Sequence, residues 1–152
     1  MADTTAPASR IAGAPEEFQL AFEQAPIGIA LVAPDGRFLW VNQALARICG
    51  YGPVELLGLT FQDITHPDDL DADLAQVEAM IAGSITAYSM EKRYLHARGH
   101  EVPVQLDVSM VRAGDGGPRY FISHVQDITE RRATIEALAS AHDALRASQQ
   151  RF

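Results

Sequence analysis

Few side chains in this 152-residue sequence have the chemistry to react or to hold a metal. The single cysteine, Cys49, would need a neighbouring base to keep it as thiolate, and none is evident. One cysteine also excludes an internal disulfide and any multi-cysteine metal site. The densest group of candidate ligands is His66-Pro67-Asp68-Asp69, followed by Asp71 and Asp73. On a helix Asp69 and Asp73 share a face while Asp71 points away. The cluster therefore reads as a turn and a solvated acidic face, and no metal is expected. Lys92 is the only lysine. Strand alternation would carry it towards an inner sheet face, where it could anchor a carboxylate, but the expected position is a solvent-facing tip. There is no Gly-x-Ser-x-Gly and no phosphate-cradling glycine loop. These residues do not assemble a catalytic constellation, so a non-enzyme is expected.

The bulk properties narrow the class further. The length suits one domain with an added arm, and 47% of residues are hydrophobic, enough for a core. A net charge of −8 argues against nucleic acid and anionic membrane as partners. No apolar run approaches the roughly 20 residues of a membrane span. The opening MADTTAPASR lacks the basic-then-apolar order of a secretory signal, so a cytoplasmic protein is expected.

Residues 1–14 are small, polar and rich in Pro, Ala and Gly, which predicts a disordered tail. A cap helix is predicted over 15–26, opened by Pro15-Glu16-Glu17 and carrying Phe18 and Phe22 on one face. A core follows over 27–129. Ile27 to Ala33 and Arg37 to Val41 flank the turn Pro34-Asp35-Gly36 and read as a hairpin. Asn42 reads as the N-cap of a helix that ends at Gly50. His66-Pro67-Asp68-Asp69 starts a longer helix, with Leu70, Leu74, Val77 and Ile81 on its inward face and Asp71, Asp73, Gln76 and Glu78 outward. Two long strands, about Ile85 to Ala97 and His100 to Arg112, and a third, Arg119 to Gln126, complete the core. The expected fold is α+β: one antiparallel five-stranded sheet with helices on one face.

The last predicted element, a helix over 130–152, grows directly from the final strand. Asp127 and Glu130 have capping-box spacing, and Thr129 is the other candidate N-cap. An Asp127–Arg131 pair at i, i+4 would offset the poor placement of Arg131 in the first turn. Ile128, Ile135, His142 and Gln149 form one position of a heptad, and Arg131, Leu138, Leu145 and Phe152 the other. Asp127, Ile128, Thr129, Glu130 and Arg131 are therefore the expected signal-transmission set, joining sheet to lever.

These pieces in this order resemble the PAS domain with its PAC-type second half, over about Phe18 to Arg132. The motifs are Ala25-Pro26-Ile27-Gly28-Ile29, Pro34-Asp35-Gly36 with Trp40-Val41-Asn42, Gly50-Tyr51 through Leu57-Gly58, His66-Pro67-Asp68-Asp69 and Asp127-Ile128-Thr129-Glu130. The resemblance implies strand order 2-1-5-4-3 and a sensory or dimerising module that drives an effector through its C-terminal helix. The effector classes implied are a histidine kinase or a diguanylate cyclase. Residues 144–152 resemble the linker into a second PAS domain.

Flavin-binding relatives carry a cysteine where this chain has Phe61, and flavin-binding amides where it has Tyr94, Val104 and Val125. Heme-binding relatives supply a histidine from the long helix, which here has none. Neither flavin nor heme is expected. The inner face should hold Tyr94, Val104, Leu106, Val108, Phe121, Ser123 and Val125, opposed by Leu74 and Val77. That set either fills itself as a core, giving a ligand-free relay, or leaves a small cavity for an apolar ligand. The resemblance also implies a homodimer. Its expected interface is Phe18, Phe22, Ile29, Leu31, Ile122, Ile135, Leu138 and Leu145.

Overall fold

The structure, a computed structural model, describes residues 16–150. The predicted tail over 1–14, the side chain of Phe18 and the final heptad residue Phe152 lie outside the described residues. Helix α1 (Glu16–Glu23) leads into the hairpin β1 (Gly28–Val32) and β2 (Phe38–Val41). Four helices follow: α2 (Gln43–Cys49), α3 (Pro53–Leu56), α4 (Phe61–Ile64) and α5 (Pro67–Ile81). The chain then returns through β3 (Ala87–Leu95), β4 (Glu101–Arg112) and β5 (Pro118–Asp127), and leaves as α6 (Thr129–Gln149). The five strands form one antiparallel sheet in the order β2-β1-β5-β4-β3. The strands and helices expected from the sequence are all present.

Local chemistry explains the turns. Asp35 accepts hydrogen bonds from the Arg37 backbone N–H at 3.1 Å and from its Nε at 2.9 Å, closing the β1–β2 turn. Gly50 ends α2 at φ 78°, a left-handed conformation, and a Cβ there would collide with the His96 imidazole. Asn42 does more than cap α2. Its Oδ1 accepts from the N–H groups of Leu45 and Ile29, and its Nδ2 donates to the carbonyls of Phe22 and Ile27. It is fully buried and ties three elements together. Asn42→Ala should therefore lose both a cap and the partner of a buried N–H, about 2–4 kcal/mol in all. A urea midpoint shift that corresponds to less than about 1 kcal/mol would contradict this.

One helix face is rotated from the sequence reading. The inward residues of α5 are Asp73, Val77 and Met80, with Leu70 and Leu74 half-buried and Ile81 exposed. Asp73, expected on the solvated side, is 1% exposed. The reason is a partner on the sheet. Lys92, expected at a solvent-facing tip, is buried too, and its ammonium meets Asp73 at 2.6 Å. The apolar spacing alone could not weigh an ion pair formed across elements.

Helix α5 is gripped by cations along its length. Near its start, Arg93 donates from its backbone N–H and Nε to Asp69 Oδ2, at 2.8 and 3.0 Å, and from Nη2 to Oδ1 at 2.9 Å. At its end, Arg112 Nη2 donates to the Met80 carbonyl at 2.7 Å. The Arg93 hydrogen bonds hold the Asp69 carboxyl below its ordinary value of 3.8. A lowered carboxyl stabilises the fold above that value, and the contribution fades as pH falls through the lowered one. Asp69→Asn should therefore shift the stability curve least below pH 3.8 and most above it, as read from denaturation midpoints across the acid range.

Candidate functional site

The inner sheet face and α5 enclose a cavity of about 20 Å³. Six of the expected residues line it: Val77, Tyr94, Leu106, Val108, Phe121 and Ser123. Val104 and Val125 are fully buried in the core, and Leu74 is half-buried, but none of the three borders the cavity. Val32, Phe38, Phe61, Asp73, Tyr88 and Lys92 complete the lining. By the measure on which about 10–15 Å³ admits one water, the space has room for no more than a very small molecule.

The unforeseen part is polar. Lys92 donates to Asp73 Oδ2 and, at 3.0 Å, to Thr65 Oγ1. The Tyr88 hydroxyl donates to Asp73 Oδ1 at 2.7 Å. The rings of Tyr94 and Phe61 stand 4.8 and 5.1 Å from the ammonium, close enough for cation–π attraction. Burial pulls Lys92 below the ordinary lysine range, and the Asp73 carboxylate opposes it. Tyr88 and Tyr94 are pushed up, by burial first and with the Asp73 carboxylate adding to it, so both stay protonated. Cys49 is buried as well, and burial pushes its thiol up to about 12. It is a small core residue with no thiolate to offer.

A signal for this cluster exists in the sequence. Tyr88, Lys92 and Tyr94 share one parity along β3, so alternation places them together. Asp73, Val77 and Met80 sit at i, i+4 and i+7 on α5. Each pattern was legible; their meeting was not. His66, by contrast, does what the sequence suggested. It is the N-cap of α5, with Nδ1 accepting from the Asp68 N–H at 3.1 Å.

At the far end of the sheet, β5 passes into α6 through Ile128 alone. Asp127 does not form a capping box with Glu130. Ile128 occupies the N-cap position, and Asp127 sits one residue earlier, accepting from the Thr129 N–H at 2.9 Å and its hydroxyl at 2.5 Å. The Asp127–Arg131 ion pair is absent among the described residues; Arg132 instead reaches Glu91 on β3 at 3.2 Å. Ile128, expected at the head of the heptad seam, is 2% exposed, and its N–H donates to the Pro103 carbonyl at 3.0 Å. It roots the helix in the sheet because its side chain gains more from burial there than from an exposed seam. Beyond it no residue of α6 is buried. Ile135, Leu138 and Leu145 are 58%, 65% and 58% exposed. Beside the root, Pro26, Ile27, Ile48 and Val125 meet Gln126, Asp127, Ile128 and Arg131 in an open groove.

Residues expected at a dimer face fall into two groups. Ile29, expected at the dimer interface, is buried within the protomer, so its side chain is not open to a partner. The Phe22 ring meets Trp40 edge-on at 5.8 Å, so α1 covers this part of the sheet. Leu31 and Ile122, paired across β1 and β5, are half-exposed.

Comparisons with known proteins agree with this geometry. A protein-family model for the PAS fold matches residues 22–133. Over 117 residues the chain is 50% identical to the probable diguanylate cyclase DgcE of Escherichia coli K12, covering 77% of this chain and 11% of DgcE. It is 30% identical over 130 residues to the C4-dicarboxylate transport sensor protein DctS of Rhodobacter capsulatus, covering 83% of this chain and 19% of that protein. The chain thus spans a small fraction of these relatives. Among solved structures, a PAS domain from Colwellia psychrerythraea superposes with a TM-score of 0.69 at 17% identity, over 76% of this chain and 97% of that one. A sensory box histidine kinase/response regulator from Burkholderia thailandensis E264 gives 0.64 at 27% identity, over 87% and 99%.

Proposed function

The chain belongs to the PAS fold family, and on that premise we propose that it is a non-catalytic sensory and relay module of a larger signalling protein. One observation carries the reading. Strand β5 enters a 21-residue helix through a single residue, and that helix buries nothing within the protomer. Such a helix, about 30 Å long at 1.5 Å per residue, has no use as local packing. It acts as a lever for what lies beyond. The effector is of the diguanylate cyclase or histidine kinase class, as the names of the relatives suggest, and a second PAS domain can intervene. None of the helices among the described residues is long and apolar enough to cross a membrane, and we place the module in the cytoplasm, bound to neither nucleic acid nor membrane.

The module works as a homodimer, with α1 and the half-exposed Leu31 and Ile122 at one contact and Ile135, Leu138 and Leu145 at the other. Half of the helical seam is polar, so the pairing is weak. Sedimentation should show a concentration-dependent dimer, weakened by Leu138→Glu; a monomer up to high micromolar concentration would remove the dimer from the proposal. The relay itself is tested by grafting this chain in place of the matching segment of DgcE and measuring cyclic dinucleotide output. A graft that leaves output indifferent to substitutions at the junction would overturn it.

A second reading is a ligand-free relay. The smallness of the cavity, about 20 Å³, favours it. Flavin and heme form no part of either reading.

A further inference from the structure

We propose that the cavity beneath α5 is a site for an uncharged ligand of about three heavy atoms bearing a hydrogen-bonding oxygen, anchored by Lys92 and Ser123. This rests on the sensing reading and names its ligand class. A buried lysine invites the opposite inference, an anion site. The electrostatics of this one reject it. Lys92 and Asp73 are in contact at 2.6 Å, each with a side chain 1% exposed, so the pocket is neutral as it stands. An anion would either add a second negative charge among buried side chains or pull Lys92 away and leave Asp73 buried and unpaired. Both are heavily penalised. An uncharged ligand meets neither penalty.

Hydrogen-bonding capacity is nevertheless left over. An ammonium has three donors, and oxygen acceptors take two of them, Thr65 Oγ1 and Asp73 Oδ2. The Ser123 hydroxyl lines the same cavity and makes no hydrogen bond among the described residues. The other titratable neighbours do not alter the charge. Tyr88 keeps its proton by donating to Asp73, and burial keeps Tyr94 and Cys49 neutral. Val77, Leu106, Val108 and Phe121 supply apolar wall. A single carbonyl or hydroxyl oxygen, with little else, matches this set, and so few atoms limit the affinity to about the millimolar range.

Formamide and formate make the test, since they match in size and differ in charge. The methyl groups of Val77, Leu106 and Val108 are followed by NMR at constant ionic strength. Formamide should give saturable shifts clustered on these methyls, with formate roughly tenfold weaker or silent. Asp73→Asn removes the carboxylate that offsets Lys92, so formate should gain on formamide. If that variant does not fold, Asp73→Asn/Lys92→Met restores neutrality without the anchor. It should weaken formamide and gain no formate. Formate binding as well as formamide to the unmodified chain overturns the proposal. So does silence with both probes, and that result leaves the relay standing, because the relay is judged on output from the DgcE graft.

Discussion

Replacing Asp73 with alanine should destabilise the protein by about 3–5 kcal/mol, the usual result of stranding one member of a buried ion pair. Lys92 would be left buried at 4% exposure with only Thr65 and two aromatic rings beside it. Tyr88 would lose its acceptor as well. In a chain of this size that corresponds to a fall in melting temperature of roughly 10 °C. The double replacement Asp73→Leu/Lys92→Met should behave differently. With both charges gone and volume kept, it should be neutral or more stable than the parent by about 1–4 kcal/mol. Thermal and urea unfolding of the three proteins decide the matter. A single substitution that costs under about 1 kcal/mol would mean that water reaches Lys92 freely, which contradicts its burial. If the double variant is stable yet silent in the DgcE graft, the pair serves signalling rather than the fold.

Asp127→Ala should separate stability from function. Asp127 is exposed, and among the described residues its carboxylate holds only the Thr129 N–H and hydroxyl. Its loss should cost about 1 kcal/mol, in the range of a helix cap, and leave the sheet intact by circular dichroism. Output from the graft should nevertheless change at least about fivefold, the lower end of ordinary coupling energies, because the angle at which α6 leaves β5 is no longer held. Ile128→Ala tests the other half of the root. It removes a buried anchor and should cost about 2–5 kcal/mol while loosening the same joint. Unchanged output with Asp127→Ala would sink the claim that this turn transmits.

Much of the fold was legible because local rules and periodicity agree along the chain. Asn42, Gly50 and His66-Pro67 mark helix ends by chemistry that acts within a few residues. Alternation through Val102, Val104, Leu106 and Val108 showed which side of β4 faces inward, and all four are buried. The junction was legible as a place and misread in detail. Asp127, Thr129 and Glu130 allow more than one capping geometry. Which one forms depends on whether Ile128 is drawn into the sheet, and that is decided by Pro103, 25 positions away.

The sequence by itself determined the family, the order of elements, the inner face of the sheet and the lever at its end, because each follows from spacing within a single helix or strand. Only the tertiary structure decided the character of the cavity. Asp73 and Lys92 are separated by 19 positions and lie on different elements, and either one alone belongs in water. A buried charge is tolerable only when its partner arrives with the right geometry. Packing α5 across β3 supplies that geometry and turns an apparent solvated acid and a surface lysine into a neutral polar floor.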